Sequence, residues 1–324
     1  MNWGLFRGTW SWLCVSVLVG LTAYPAPAQD GRLVDSYVVA LKDDEIKKLE
    51  TDQPDIRGIL ERIEVKSVTY LSDGLKVKGY LVTPKIGDRL PCVIFNRGGN
   101  REFGALSDLR AAAFLGRMAS WGYVVVASQY RGNAGGEGKE EFGGKDVNDV
   151  LNLLPLLKSV PRADAARVGM YGWSRGGMMT YLALSRTDQI AAAVVGAGVA
   201  DLVSNAKLRP EMEKVHAELI PNYLREKEAS LIARSAVRWP ERLNKGTPIL
   251  LLHGSADWRV HPTEALTMAS KLYECKHPFR FVFFEGGDHG LQEHRVEVDR
   301  LVRDWLDRYV RDKVPWPSLE PHGP

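Results

Sequence analysis

The sequence predicts an α/β fold, a mostly parallel sheet of eight strands with helices on both faces, and three observations lead there. From about residue 60 onward, short apolar runs rich in β-branched residues alternate with longer amphipathic stretches, the pattern of strands separated by covering helices. The first two runs alternate apolar and polar residues, whereas the later ones are continuous, as strands buried on both faces are. The composition also fits one large globular domain: of 324 residues, 45% are hydrophobic and 26% charged, with no disorder or repeat bias.

The first 28 residues differ in kind. Arg7 is their only charge, an apolar run extends from about Trp10 to Tyr24, and Ala26-Pro27-Ala28 offers a small-residue cleavage site. This is the organisation of a secretory signal peptide, so the expectation is cleavage after Ala28 and export to the periplasm or the medium. The apolar run falls short of the ~20 residues a spanning helix needs, which argues against stable membrane insertion. Cys14 would leave with the signal, and Ser11-Trp12-Leu13 before it lack the small residues that lipoprotein processing requires. Cys92 begins an apolar strand and Cys275 ends a helix; they read as separate core thiols, a disulfide being the alternative in an oxidising compartment.

Residues 29–60 read as a polar, helical lead-in. The eight strands expected after it are Ile63 to Tyr70, Leu75 to Val82, Pro91 to Asn96, Tyr123 to Ser128, Arg167 to Tyr171, Ala191 to Val195, Pro248 to His253 and Phe279 to Phe284. Ser72-Asp73-Gly74 suits a hairpin between the first two. Ala105 to Trp121 reads as a helix ended by Gly122, and Asp146 to Leu157 places Val147, Val150, Leu151, Leu154 and Leu157 on one face. Residues 201–242 are rich in Lys, Arg and Glu and mostly helical, and they read equally as a small lid or as surface helices. The main α/β domain is expected to span 61–312, with residues 313–324 as a Pro-rich extended tail.

A balance of 43 basic and 40 acidic residues gives a charge of +3, with no basic block to form a phosphate-binding stripe. Nucleic acid is therefore set aside as a partner. No Cys/His spacing suggests a metal. The Gly-rich stretch Arg131 to Gly138 lacks both the Lys-Ser/Thr ending of a phosphate loop and dinucleotide-binding spacing, so no cofactor is called for and a shaped loop beside the active site is the better reading.

The chemistry begins after the fifth strand, at Gly172-Trp173-Ser174-Arg175-Gly176-Gly177, which leads into a helical stretch. Gly-x-Ser-x-Gly between a strand and a helix presents a serine on a sharp turn, the glycines removing side chains that would clash with it. The helix then aims its free N–H groups at the oxyanion formed when Ser174 attacks a carbonyl. A serine so placed needs a base and an orienting acid, in the chain order Ser, Asp or Glu, His. The loop after the seventh strand offers Asp257 as acid, and the loop after the eighth offers His289 as base, both at carboxyl ends where sites of open α/β sheets gather. Asp288 is the rival acid, but it adjoins the base; His253 reads as a structural hydrogen-bonding residue. The other histidines read as surface or core residues. For the oxyanion hole, the expected donors are the N–H of Arg175 and that of Gly99, with Gly98 close behind, in Asn96-Arg97-Gly98-Gly99-Asn100 after the third strand. Trp173, Tyr130 and Trp258 are expected to line the substrate site.

These residues, with Gln129-Tyr130-Arg131-Gly132 and Gly144-Lys145-Asp146-Val147, resemble the catalytic domain of the prolyl oligopeptidase family over about residues 65–312. Gly177 and the Gly98-Gly99 pair look like its dipeptidyl-peptidase and acylaminoacyl-peptidase branch, in which His-Gly-Gly-Pro is usual; here Arg97 and Asn100 replace the outer two. The resemblance implies an α/β-hydrolase fold and a serine hydrolase acting through an acyl-enzyme. Family members usually carry a β-propeller that helps bind a peptide's N-terminus, and only about 35 residues lie between the signal and the first strand. A small ester and a short peptide therefore both stand as substrate classes. A noncatalytic binding module of this fold would be expected to lack a triad member, whereas all three are present.

Overall fold

In the computed structural model, which describes Met1 and residues 30–323, nine strands form one sheet. They are β1 (Leu33–Val38), β2 (Ile63–Ser72), β3 (Leu75–Pro84), β4 (Leu90–Asn96), β5 (Val124–Ser128), β6 (Ala163–Trp173), β7 (Ala192–Gly196), β8 (Ile249–Gly254) and β9 (Phe279–Phe284). Their spatial order is β1-β2-β3-β5-β4-β6-β7-β8-β9. The expected signal segment lies outside the described residues.

The eight expected strands are present, and β1 is a ninth that corrects the reading of residues 29–60 as helical throughout. All six of its residues are exposed, so no apolar alternation marks it; pairing with the edge of β2 makes it a strand. The helices Asp43–Asp52 and Ile56–Arg62 follow it. Ser72 pairs with Leu75, which leaves Asp73 (φ 50°) and Gly74 (φ 77°) as a two-residue turn, both left-handed, as the twist of a tight hairpin demands. β3 runs antiparallel to β5, and from β5 across to β9 every pairing is parallel.

Burial on both faces explains the continuous apolar strands. In β5, Val124 and Val126 join one core, under the helices at 146–158, Arg175–Leu184 and Pro262–Glu274. Val125 and Ala127 join the other, under Ile56–Arg62, 108–120 and Arg295–Leu306. Cys92 is buried in β4 and Cys275 follows the helix Pro262–Glu274; both are free thiols, and burial pushes that of Cys92 up to about 12. Among the described residues no helix is long and apolar enough to cross a membrane.

Chain order reverses at β4, whose sequence neighbour β5 lies on one side and β6 on the other. Such a switch point opens a crevice beyond the strands' carboxyl ends. Asn96 pairs with Gly172, so the loops leaving β4 and β6 start side by side.

Residues 201–242 form short helices, Leu202–Leu208, Glu213–Leu219 and Lys227–Ile232, whose Leu202, Leu219 and Leu231 pack into the first core, as does Tyr223 between the last two. Glu264 anchors their start: it is buried and accepts N–H groups from Ala200 (3.1 Å), Asp201 (3.0 Å) and the Asn205 amide (3.0 Å). Burial outweighs these donors and pushes its carboxyl up to about 7. A carboxyl raised on folding favours the folded state at acid pH, and that contribution is lost as pH rises through about 7. In thermal melts, the stability of the native chain should therefore fall relative to that of Glu264→Gln between pH 5 and pH 7 and run parallel to it above; the same pH dependence in both proteins would refute this anchor.

Candidate active site

β6 ends at Trp173, and the helix Arg175–Leu184 begins two residues on. Between them Ser174 takes φ 59° and ψ −125°, a conformation that costs about 1–3 kcal/mol and persists only where the surroundings enforce it. The enforcement is visible: Ser174 N donates to Gly196 O (2.9 Å), and Ser174 O accepts from Gly177 N (2.9 Å) and Val199 N (3.2 Å). A Cβ on Gly172 would stand 2.1 Å from Gly176 O, and one on Gly176 would stand 1.9 Å from Asn96 O. The two glycines of the motif thus let the turn close and let it seat against β4.

The loops after β8 and β9 meet at this turn. Asp257, 2% exposed, accepts His289 Nδ1 at 2.8 Å through Oδ2, and its Oδ1 accepts the N–H groups of Arg259 (2.8 Å) and Val260 (3.0 Å). His253 Nε2 lies 2.9 Å from Val260 O and 3.3 Å from Asp257 Oδ2, so this buried imidazole braces the acid from beneath. Burial alone would raise the Asp257 carboxyl, but the hydrogen bonds from His253 and His289 prevail and hold it well below the ordinary carboxylate range. Trp173 Nε1 donates to His289 O (2.9 Å), tying the histidine's loop to the residue before Ser174. The rival acid Asp288 instead caps its own loop, accepting from Gly290 N and Leu291 N.

The loop after β4 closes over the serine. A Cβ on Gly98 would lie 3.2 Å from Ser174 Cβ, and Gly99 turns the chain with φ 72°. Arg97, the departure from the His-Gly-Gly-Pro pattern, is buried, grips this loop by the carbonyls of Gly98 (3.1 Å) and Arg101 (3.0 Å), and ties it to Gln129 O (2.7 Å) after β5. Because the peptide unit is planar and trans, holding Gly98 O on one side turns the Gly99 N–H to the other.

The side chain of Arg175 does something the sequence reading did not foresee. It runs under the turn, paired with Glu140 and with Asp146 Oδ2 (2.6 Å), and donates to Gly99 O (3.0 Å). Glu140 in turn accepts from Asn133 Nδ2 (2.7 Å) and Arg101 N (2.9 Å), so the Gly-rich stretch at 131–138 is held against the same cluster. Tyr130 is a correction to the expected substrate contacts. It is fully buried at φ 63°, its hydroxyl donates to Arg97 O (2.9 Å), and its ring stacks against the guanidiniums of Arg97 (5.0 Å) and Arg175 (4.9 Å). Trp173 does line an open cavity beside Ser174, with Phe95, Phe114 and Tyr171. Trp258 is 68% exposed and lies against Arg209 and Arg259, away from that cavity.

The sequence model of the prolyl oligopeptidase family matches residues 112–313. The chain belongs to that family. It is a serine hydrolase of the α/β-hydrolase fold. It is 30% identical over 250 residues to the uncharacterized peptidase YtmA of Bacillus subtilis, covering 76% of this chain and 94% of that one. With dipeptidyl-peptidase 5 of Porphyromonas gingivalis it shares 25% identity over 255 residues, 74% of this chain but 37% of the relative. The acylaminoacyl peptidase of Pyrococcus horikoshii superposes with a TM-score of 0.68 at 22% identity, over 82% of this chain and 44% of that one. The chain thus spans nearly all of the first relative and less than half of the other two.

The steric reading of the turn predicts opposite outcomes at two glycines. Gly176→Ala should destabilise the fold severely, whereas Gly58→Ala, in a helix with nothing within 4 Å of the new Cβ, should be neutral or stabilise by up to about 1 kcal/mol. Denaturant midpoints of the two variants decide it; similar midpoints would show that the turn has room to relax.

Proposed function

We propose that the chain hydrolyses short peptides through an acyl-enzyme, with Ser174 as nucleophile, His289 as general base and Asp257 as the acid that orients it. The observation that carries this is the 2.8 Å bond between Asp257 Oδ2 and His289 Nδ1, set beside a serine held at φ 59° at a helix N-terminus. Ser174 Oγ attacks the carbonyl carbon while His289 Nε2 takes its proton, and Asp257 holds the imidazole in the tautomer that presents Nε2 as acceptor. The tetrahedral oxyanion is held by the N–H groups of Arg175, at the first position of the helix, and of Gly99. His289 then protonates the departing nitrogen, the C–N bond breaks, and a water activated by the same histidine releases the acyl group.

Peptides are favoured because YtmA and dipeptidyl-peptidase 5 are both named peptidases. The same groups would cleave an ester, whose leaving oxygen needs less help from the acid. We place the mature protein outside the cytoplasm on the strength of residues 1–28, and N-terminal sequencing of the exported protein should begin at Gln29.

Ser174→Ala should abolish labelling by a fluorophosphonate while leaving circular dichroism unchanged, and Asp257→Asn should lower kcat/KM by about 10³–10⁴-fold. Turnover that survives Ser174→Ala would place the nucleophile elsewhere. A panel of peptidyl p-nitroanilides and p-nitrophenyl esters should show kcat/KM retained on the anilides; activity confined to the esters would replace the peptidase reading with an esterase.

A further inference from the structure

We propose that the cavity walled by Phe95, Phe114, Tyr171 and Trp173 receives the leaving half of the substrate and selects an aromatic group that carries a negative charge. This rests on the reading of Ser174 as nucleophile and His289 as its base.

The cavity, about 300 Å³, lies between the ends of β4 and β6 and the helices at 108–120 and Arg295–Leu306. That volume is at the lower end of the range for small-molecule sites, roughly 300–1,000 Å³. It opens onto the reaction centre through immediate neighbours of the reacting groups: Gly98, whose added Cβ would touch Ser174 Cβ, Trp173 beside Ser174, and Gly290 beside His289. Because the departing atom takes its proton from His289, the departing half must lie on the histidine's side of the serine, which is the side this cavity occupies. Val199 and Leu202, beyond the start of the Ser174 helix, belong to the other core and are closed off from it.

The walls specify a ring. Phe114 and Phe95 stand 6.2 Å apart between ring centres, Phe95 and Tyr171 meet edge to face at 5.5 Å, and Tyr171 and Trp173 at 6.3 Å. These four rings run without a break from the helix at 108–120 to the residue before the nucleophile, and a further ring can add edge and face contacts to the row.

The rim specifies a charge. Arg97, Arg110, Arg117 and Arg295 line the cavity, and among the described lining residues Asp299 is the one carboxylate. Arg117 is shared between Asp55 (3.1 Å) and Asp299 (3.8 Å), while Arg295 lies 3.6 Å from Asp299 with its guanidinium over the ring of Phe114. Arg97 holds backbone carbonyls, and Arg110 donates weakly to Ala105 O (3.5 Å). The excess of guanidinium at an aromatic slot fits an arene bearing a carboxylate, whether an aromatic residue at a peptide's C-terminus or a carboxylate-bearing phenol or aromatic alcohol leaving an ester.

The departing half is a product that should occupy this cavity and block access to Ser174. The test is therefore protection of the full chain from fluorophosphonate labelling by three small probes: 3-phenylpropionate, its neutral analogue 3-phenylpropanol, and hexanoate, which has the charge without the ring. Protection by 3-phenylpropionate should need about tenfold less ligand than either of the others, and Arg110→Gln/Arg295→Gln should erase the difference between acid and alcohol. Arg110→Gln alone, at an exposed position, should narrow that difference and serves if the double variant does not fold. Equal protection by all three probes, no protection by any, or a charge preference that survives both substitutions would overturn the assignment. Failure of the unprotected native chain to label would instead remove the nucleophile on which the proposal rests, so the two failures are told apart.

Discussion

The site depends on one close approach, that of Gly176 to the end of β4. At this point a helix starts against a neighbouring strand at a distance that leaves no room for a Cβ. From that contact follow the backbone conformation of Ser174, the direction of the helix behind it, and the position of the loop at Gly98 and Gly99 that faces it. Strain at Ser174 is local, but what sustains it is shared among β4, β6 and β7. The serine is accordingly held where β4, β6 and β7 end side by side, strands buried on both faces.

Around this contact the protein sets buried charge, and desolvation decides how it is arranged. Removing an ion from water costs several kcal/mol unless its donors and acceptors are met. Arg175 meets the cost with two carboxylates, Arg97 with backbone carbonyls and the face of Tyr130. A similar arrangement stands at the hairpin end, where Arg131 reaches both Asp149 (2.7 Å) and Asp73 (2.8 Å). Arg97 and Arg175 hold the loop carbonyls of Gly98 and Gly99, which fixes the backbone N–H groups without placing a side chain in the reaction centre. Arg97 stands where the family pattern has His, and this longer, permanently charged group reaches carbonyls on both sides of the turn.

How far the sequence disclosed this depended on whether the deciding contacts were local. Gly172, Ser174 and Gly176 constrain one another within five residues, so the turn was legible as a motif. Asp257 and His289 were legible because strand ends in an open parallel sheet converge, and their order along the chain then suffices to select them. The pairing of β1 with β2 left no trace because all six residues of β1 face solvent. Tyr130 was misplaced because its burial is caused by two arginines 33 residues before it and 45 after it. The side-chain role of Arg175 escaped for the same reason, as Glu140 and Asp146 approach it only once the loop before the helix at 146–158 has folded beneath the sheet's edge.

The same distinction separates what the family shares from what this chain adds. Acyl transfer needs groups on backbone and strand ends, which the fold supplies wherever the glycines and the three triad residues are kept. Selection among substrates needs side chains from elements far apart, here β4, β6 and the helices at 108–120 and Arg295–Leu306, which no short motif couples. The row of four aromatic rings draws on β4, β6 and the helix at 108–120, and the rim with more guanidinium than carboxylate adds Arg295 from the fourth element. That cavity lies on the face of the sheet opposite the Arg175 cluster, and Arg97, which both lines it and holds Gly98 O, joins the two. The turn at Ser174 is set by contacts among backbone atoms, whereas the proposed choice of departing group is set by side chains packed on the other face of the sheet.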